Sequence, residues 1–314
     1  MIEAVQAAMA VGKPVKVVWT REDDTRGGNY RPMWADHIVA GIAKNGKPEV
    51  WKHTIVGQSI VANTMFEAFL VHNGIDATSV EGAADLPYRI PNLQVDLHST
   101  KNEVPVQWWR SVGHSHTAFV VETMMDELAH MARKDPVTYR LANLPKDSRY
   151  RGVLQLAADK AEWGKKKLPK GHAYGVAVHK SFNSYVAEIA EVSLEKGKIR
   201  VHRVIAAVDC GMVVNPDGVR QQIESAVTYG LSAALHGAIT LNKGRVVQSN
   251  FNDYPPVRYS EMPLVEVHIV ASSESPSGIG EPGTPPIAPA VANAVFKLTG
   301  KRLRRLPFDR EKIV

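Results

Sequence analysis

The segment from Ser275 to Pro289 constrains the fold of this chain more than any other stretch. Within 15 residues it carries five prolines and three glycines, a density that regular helices and strands do not tolerate. It follows a predicted strand at Leu264–Val270 and precedes a predicted helix at Val291–Leu298. Because proline and the residue before it have few accessible backbone conformations, we expect this loop to be stiff and to hold its side chains in fixed positions.

Glu281 is the one acidic residue of this loop. Pro282 follows it and disfavours helix at Glu281, while Gly278, Gly280 and Gly283 permit close approach of another backbone or of a ligand. A rigid loop that presents a single carboxylate suits a general base. The pattern alone fits equally a stiff turn in which Glu281 is solvated or caps the following helix, because Gly- and Pro-rich loops are common.

The rest of the sequence predicts strands interleaved with a few long helices. Apolar residues at helical spacing predict helices at Glu3–Ala10, Thr117–Met131 and Val219–Leu235. Alternating or β-rich runs predict strands at Val15–Trp19, His37–Ala43, Val50–Val56, Leu93–Leu97, Tyr174–Val178, Tyr185–Leu194 and Ile199–Ala207. This order predicts an α+β fold, with layered mixed sheets and packed helices. A length of 314 residues suggests two domains.

Composition narrows the possible functions. The single cysteine, Cys210, excludes a disulfide within the chain and any zinc or iron–sulfur site held by cysteines. The net charge is +6, and the sequence shows neither a motif that places a helix in a DNA groove nor a cluster of aromatic residues on which bases could stack. Nucleic-acid binding is therefore not favoured. The apolar stretch Ile223–Leu241 is interrupted by polar residues, so it predicts a buried helix and no membrane span. His114 and His116 lack a third ligand nearby, so no protein-ligated metal is predicted.

Several long motifs together resemble one enzyme family. The segments are Gly278–Phe296 with Leu298–Phe308, Val104–Thr123, Val208–Pro216 with Gln222–Glu224, Ser249–Pro255 and Lys13–Glu22. They resemble the molybdopterin-binding large subunit of the molybdenum hydroxylase family, which includes xanthine dehydrogenase and aldehyde oxidase. Within that family the branch of isoquinoline 1-oxidoreductase β-subunits is the most similar, and the resemblance covers essentially the whole chain.

The resemblance implies roles for particular residues. In that family the glutamate of the Gly-Glu-Pro loop is the catalytic base, and Glu281 occupies this position. The residues that the resemblance places at the cofactor are Arg110, Gly113, Gln222 and Gly280. Val112 stands where xanthine dehydrogenases carry an aromatic residue that faces flat substrates. This difference leaves open whether the substrate is an aldehyde or an N-heteroaromatic compound.

The resemblance also implies a cofactor and partners. The reaction is hydroxylation of a small molecule with water, at a molybdopterin-type molybdenum cofactor in its cytosine dinucleotide form. The pterin dithiolene, and no protein side chain, holds the metal in this family. Electrons would leave through [2Fe–2S] clusters on a separate small subunit, because this chain lacks the cysteines for such clusters, with a cytochrome c as a further acceptor.

The family's large subunit is far longer than this chain, and its upstream glycine-rich cofactor loops do not occur here. The resemblance therefore implies a C-terminal portion: residues 1–145 form a first, N-terminally incomplete molybdopterin-binding subdomain, and residues 146–314 form a second that carries Glu281. The portion fits either a truncated reading frame or one half of a split subunit, and in the second case the N-terminal half is a partner. An inactive fragment or assembly subunit that keeps the fold without turnover is the alternative. The compartment, periplasmic or cytoplasmic, is left open, and an export signal is expected only upstream.

Overall fold

A computed structural model describes residues 1–310 and 313 and shows mixed β-sheets layered with helices. The helices of this part are α1 (Ile2–Val11), α2 (Arg21–Gly27), α3 (Glu67–Leu70), α4 (Ala77–Val80), α5 (His114–Met131), α6 (Pro136–Asn143), α7 (Arg149–Lys160), α8 (Pro216–Leu235) and α9 (Ile287–Thr299). The strands are β1 (Trp34–Ile42), β2 (Pro48–Gln58), β3 (Val71–His72), β4 (Ile75–Asp76), β5 (Asn92–Thr100), β6 (His172–Ser181), β7 (Ser184–Glu195), β8 (Lys198–Asp209), β9 (Leu241–Asn242), β10 (Arg245–Val246) and β11 (Leu264–Ile269). The predicted α+β class is confirmed.

The first sheet has three strands in the order β1-β2-β5. The strands β1 and β2, both predicted from the sequence, form an antiparallel hairpin, whose register pairs Trp34 with Gly57 and Gly41 with Val50. The strand β5 runs parallel to β2 and forms the other edge of the sheet. Most side chains of β5 are exposed, so this sheet has an open edge.

The second sheet has four strands in the order β11-β8-β7-β6. The strands β6, β7 and β8 are antiparallel neighbours, and β11 lies parallel to β8. The turn between β7 and β8 places Lys196 and Gly197 at positive φ, 51° and 78°, as a tight hairpin requires. The three strands predicted between Tyr174 and Ala207 are therefore confirmed.

Helices cover both faces of this second sheet, which explains why its strands are almost continuously buried. Alternate residues face opposite sides: Val186 and Ala190 pack into a core with α8 and α9, and Ala187 and Ile189 pack into a core with α6 and α7. The long helix α5 contributes to both cores, with Phe119 in the first and further apolar residues in the second. This arrangement fixes α5, and with it the segment that leads into its N-terminus.

A buried ion pair lies between α5 and α6. Arg140 donates from Nε to Oε2 of Glu122 over 2.8 Å, and both side chains are almost inaccessible to solvent. The Tyr88 hydroxyl donates to the other Glu122 oxygen at 2.5 Å, and the Val178 backbone N–H donates to Oε2 at 3.0 Å. Burial lowers the pKa of Arg140, but Glu122, Tyr88 and Asp126 together outweigh this effect and raise the pKa. The charges are therefore satisfied inside the protein.

Three local predictions are corrected. Val15–Trp19 is not a strand, and the polar run after it forms the helix α2, which begins at a capping box between Thr20 and Asp23. The helix predicted at Thr117–Met131 begins three residues earlier, at His114. The last helix begins at Ile287, before Val291, since proline is tolerated in the first turn of a helix. No helix in the described part of the chain combines the length and the apolar character that a bilayer span requires.

Candidate active site

The loop that carries Glu281 is fixed at several points. The Ser277 backbone N–H donates to the Cys210 carbonyl at 2.9 Å, which ties the loop to the end of β8. The Ser184 hydroxyl donates to the Gly278 carbonyl at 2.6 Å. Within the loop, the Thr284 N–H donates to the Glu281 carbonyl at 2.9 Å and closes a turn. The sequence predicted a stiff loop, and these bonds explain how it is held.

Ser111 holds the glutamate of this loop directly. Its backbone N–H donates to Oε2 of Glu281 at 2.5 Å, and its hydroxyl donates to the Glu281 carbonyl oxygen at 2.7 Å. Ser111 is fully buried and Glu281 is partly buried. One carboxylate oxygen is thus oriented by a backbone donor, as a positioned proton acceptor would be.

The backbone around Ser111 adopts an uncommon conformation. Ser111 has φ 74° and Val112 has φ 47°, so two consecutive non-glycine residues lie in the left-handed region. This conformation is costly for a β-branched residue such as Val112, and it persists only where surrounding contacts enforce it. The Val112 N–H donates to the Trp109 carbonyl at 2.8 Å, and this turn points the Ser111 N–H at the Glu281 carboxylate.

Arg110 connects the turn to the Glu281 loop and to α8. Its Nε donates to the Gly280 carbonyl at 2.7 Å, and a second donor, Nη2, bonds the same oxygen. The remaining bonds run to the Ser225 hydroxyl at 3.1 Å and to Oε1 of Gln222 at 3.2 Å. Burial lowers the pKa of Arg110, and the nearby Glu281 carboxylate opposes that effect. All three side-chain nitrogens of Arg110 therefore donate to uncharged oxygens.

The outer side of this cluster is open. Gln222, Ser225 and Tyr229 lie on one exposed stripe of α8, and the Arg110 guanidinium lies 5.7 Å from the Tyr229 ring centre. Gly280 is exposed, and a Cβ built there would meet no atom within 4 Å. The result is a polar shelf with amide, hydroxyl and guanidinium groups beside the Glu281 loop.

Gly113 is enclosed, in contrast to Gly280. A Cβ built on Gly113 would lie 2.0 Å from the Thr78 carbonyl oxygen, so the backbone at Thr78 occupies the space of a side chain. Its conformation is helical, with φ −64° and ψ −34°, and therefore does not itself require glycine. The structure thus explains this glycine by packing against Thr78. A role in cofactor approach stays a prediction.

The structure brings the six residues predicted for the site into one region. They are Glu281, Arg110, Val112, Gly113, Gln222 and Gly280. They come from three separate parts of the sequence that meet at the N-terminal end of α5 and along α8. Their chemical roles stay predictions, because proximity does not test a role.

A second carboxylate beside Glu281 was not predicted. Burial is the main cause that raises the pKa of Glu81 to about 7; the Gly113 backbone N–H opposes the rise, and the carboxylates of Asp76, Asp85 and Glu281 add to it. Oε2 of Glu81 is buried without a hydrogen bond and lies 3.8 Å from Nε2 of His114. The segment 58–86 shows no clear periodicity, so the sequence offered no signal that Glu81 would reach this region.

The two histidines in the first turn of α5, His114 and His116, have different partners. His114 Nδ1 lies 2.9 Å from Nε2 of His179, whereas His116 Nε2 lies 3.2 Å from the Ser79 carbonyl and its ring stacks on Trp34 at 4.3 Å. Among the residues that the structure describes, no group of three His, Cys, Asp or Glu side chains is arranged to hold a metal.

Comparison with known proteins identifies the family. Residues 1–144 and residues 108–263 match two family profiles, each described as a molybdopterin cofactor-binding domain. The β-subunit of isoquinoline 1-oxidoreductase from Brevundimonas diminuta is 32% identical over 312 residues, which cover 98% of this chain. The chain belongs to the molybdopterin-binding subunits of the xanthine dehydrogenase family. The relatives within this family are molybdenum-dependent oxidoreductases.

This molybdopterin-binding chain covers only part of its relatives. It spans 40% of the Brevundimonas diminuta protein. A nicotinate dehydrogenase subunit from Pseudomonas putida is 29% identical over 340 residues, covering 99% of the chain and 28% of that protein. Among solved structures, quinoline 2-oxidoreductase from Pseudomonas putida 86 superposes with a TM-score of 0.82 at 12% identity, over 98% of this chain and 65% of that one. The structural likeness supports the molybdenum hydroxylase fold.

Proposed function

We propose that this chain supplies the general base, Glu281, of a molybdenum hydroxylase that uses water to hydroxylate an aldehyde or an N-heteroaromatic carbon. The observation that carries the proposal is the 2.5 Å hydrogen bond from the Ser111 N–H to Oε2 of Glu281. It fixes the carboxylate and leaves the second oxygen, for which the described residues supply no hydrogen bond, to accept a proton. General bases of this kind typically accelerate reactions by about 10²- to 10⁴-fold.

The chemistry of the shelf fits a pterin cofactor. A pterin edge needs several donors and acceptors, and Arg110 and Gln222, which are hydrogen-bonded to each other at 3.2 Å, would exchange that bond for bonds to the cofactor. Gly280 leaves the space above its backbone open. Thr284, in the same loop as Glu281, has a buried hydroxyl without a hydrogen bond, which a bound group could satisfy. When bound, the molybdenum cofactor would accept the two electrons of the oxidation.

The residues of this chain have distinct parts in the proposal. Arg110 and Gln222 bind the cofactor through their side chains, and Gly280 and Gly113 form its backbone surroundings. Glu281 accepts a proton during attack on the substrate carbon, and Ser111 holds it in place. Val112 faces the substrate from the strained turn. The cytosine dinucleotide form of the cofactor belongs to this proposal as well.

We infer that the enzyme is assembled from several chains. The relatives are named as subunits, and this chain spans 40% of one of them. No residue of α1 is buried, and its apolar side chains Ile2, Val5 and Met9 are exposed, as is Trp19. Exposed apolar surface of this kind marks contact sites. We assign this surface to contact with the remaining part of the large subunit. That part would complete the first subdomain, residues 1–145, which lies beside the second subdomain, residues 146–314. A [2Fe–2S] small subunit and a cytochrome c would carry the electrons.

Co-expression tests the proposal. The chain is produced with its genomic neighbours, and molybdenum content and dye reduction are measured with an aldehyde and with an N-heterocycle. Glu281→Ala should abolish turnover while molybdenum stays bound, and Glu274→Ala, an exposed carboxylate just before the loop, should change neither. Retained activity in Glu281→Ala would refute the base assignment. A complex that binds molybdenum but oxidises neither substrate class would favour an assembly subunit without turnover.

A further inference from the structure

Three titratable side chains form a row that leads away from Glu281 into the protein. Glu81 Oε2 lies 3.8 Å from His114 Nε2, and His114 Nδ1 lies 2.9 Å from Nε2 of His179. The row begins beside the base, because Glu81 and Glu281 approach the same turn: the Ser111 N–H donates to Glu281, and the Gly113 N–H interacts with Glu81. The two carboxylates therefore face backbone donors that are two residues apart.

The backbone keeps this row compact. Gly82, next to Glu81, has φ 77°, and a Cβ there would lie 2.7 Å from the His179 ring and 2.8 Å from the Thr117 hydroxyl. Only glycine fits, so Glu81 is held close to both imidazoles. The Thr117 hydroxyl in turn donates to the Glu81 carbonyl at 2.6 Å. The position of Glu81 is thus fixed by tertiary contacts.

Both imidazoles of the row are neutral near pH 7. Burial lowers the pKa of His114 to about 4, with Lys180 and His116 acting in the same direction and Asp85 against it. Burial lowers the pKa of His179 well below its usual value, and His114 adds to the effect. Since each neutral ring has one N–H and one acceptor nitrogen, the bond between His114 and His179 fixes their tautomers relative to each other.

Two proton arrangements are compatible with this geometry. When Glu81 is ionised, His114 carries its proton on Nε2, facing the carboxylate, and its Nδ1 accepts from His179. When Glu81 is protonated, its O–H faces His114 Nε2, and His114 donates from Nδ1 to His179. If a small side-chain rotation closes the 3.8 Å between Glu81 Oε2 and His114 Nε2, the protonation of Glu81 is coupled to the tautomers of both histidines.

We propose that Glu81, with the His114–His179 pair behind it, receives the proton that Glu281 takes up during turnover. This inference rests on the proposed role of Glu281. In the step, the O–H bond of the Glu281 carboxylic acid breaks and an O–H bond forms on the Glu81 carboxylate, directly or through one water, with no change of oxidation state. Glu281 is returned to its basic form, and the tautomer change in the histidine pair stabilises the protonated Glu81.

The charges around Glu81 suit this role. The burial of the site and the carboxylates of Asp76, Asp85 and Glu281 bring the pKa of Glu81 to about 7. Near neutral pH a substantial fraction of Glu81 is therefore ionised and can accept a proton, and the same group can release that proton to solvent afterwards. The Glu81 side chain is 33% exposed, so water reaches part of it, although Oε2 itself is buried.

Nuclear magnetic resonance of the chain itself tests the coupling without any turnover. The ¹³C carboxyl signal of Glu81 should titrate with a midpoint near pH 7, and the ¹⁵N signals of His114 should show a change of tautomer with the same midpoint. Glu81→Gln should remove that tautomer change, and Glu49→Gln, an exposed carboxylate, should leave it intact. A His114 tautomer that does not change with pH, or a Glu81 midpoint near pH 4.5, would overturn the inference.

The assembled enzyme provides the second measurement. Glu81→Gln should lower kcat about 10-fold or more with KM nearly unchanged. In the wild-type enzyme kcat should rise with pH through 7, because Glu81 then becomes ionised, and this rise should disappear in the variant. Glu281→Ala should instead be inactive at every pH. If Glu281→Ala retains activity, the proposed function fails while the coupling seen by magnetic resonance can still stand. If Glu81→Gln keeps the wild-type pH profile, the relay fails and the role of Glu281 is untouched.

Discussion

The backbone N–H of Ser111 donates a 2.5 Å hydrogen bond to Oε2 of Glu281, although 170 residues separate the two in the sequence. The Ser111 hydroxyl adds a second bond, at 2.7 Å, to the Glu281 carbonyl. Side chain and backbone of one glutamate are therefore both held by one serine. The contact joins the strained turn before α5 to the Gly/Pro-rich loop before α9, so the two segments form a single unit.

Ser111→Ala should loosen this unit without removing the backbone donor. The substitution deletes the hydroxyl and leaves the Glu281 carbonyl with one bond fewer, which costs about 1–2 kcal/mol of unfolding free energy. Urea denaturation measures this loss, and hydrogen exchange should become faster at the amide of Thr284, which closes the loop. Ser273→Ala, an exposed serine before the loop, should change the unfolding free energy by less than about 0.5 kcal/mol. Equal stability of the two variants would contradict the prediction.

Two glycines predicted at the cofactor should respond differently to alanine. Gly113→Ala places a Cβ 2.0 Å from the Thr78 carbonyl oxygen, and the backbone must shift. Although alanine is a better helix former than glycine by about 1 kcal/mol, this overpacking should destabilise the chain by about 2 kcal/mol net. Thermal unfolding of the apo chain measures the effect.

Gly280→Ala is the matched variant, since its Cβ meets no atom within 4 Å. It should leave the unfolding free energy within about 0.5 kcal/mol of wild type and lower the molybdenum content of the assembled enzyme. If Gly280→Ala binds molybdenum normally, the prediction that Gly280 approaches the cofactor is wrong. The pair thus separates packing from cofactor binding.

Periodic segments made the fold largely predictable. The strands β1, β2, β7 and β8 and the helix α8 follow from alternation and helical spacing, and they are confirmed. Val15–Trp19 failed because β-branched composition alone does not create a strand, and this segment has no partner strand in the described part of the chain. The helix α2 was not predicted, because its side chains are mainly polar and do not form an apolar face.

The site was predictable only in part. The Gly/Pro loop singled out Glu281 from local conformational rules, and resemblance to a family supplied Arg110 and Gln222. The left-handed turn at Ser111 has no local signal, because tertiary hydrogen bonds enforce it. Glu81 and His179 were not predicted for the same reason: both are far from His114 in sequence and approach it only in the folded chain.

The buried ion pair between Glu122 and Arg140 should dominate the stability of the region under α5. Glu122→Gln removes the closer negative charge and leaves the buried guanidinium of Arg140 with Asp126, at 3.9 Å, as its nearest acidic partner. Removing one partner of such a pair typically costs about 3–5 kcal/mol, because the remaining charge is desolvated. Chemical denaturation followed by circular dichroism measures this change.

An exposed pair on the same helix provides the comparison. Glu127 contacts Arg304 at 2.6 Å, and the Arg304 side chain is about half exposed. Glu127→Gln should cost less than about 1 kcal/mol, because water screens exposed charges. If both variants lose the same free energy of unfolding, burial does not determine how much each ion pair stabilises the fold.

Finally, Glu81 should make the stability of the chain depend on pH in a defined direction. Burial raises its pKa in the folded chain to about 7, above its value of 4.5 in an unfolded chain. The folded state therefore binds the proton more tightly, so this contribution is fully present below pH 4.5 and is lost as the pH rises through 7. Because the side chain is partly exposed, solvent reduces the effect to about 1–2 kcal/mol.

Urea denaturation of wild type and Glu81→Gln at pH 5 and pH 8 measures this contribution of Glu81. The wild-type unfolding free energy should fall more between these values than that of the variant, while Glu49→Gln should follow wild type. Parallel pH dependence of wild type and Glu81→Gln would show that Glu81 is ionised in the folded chain throughout this range.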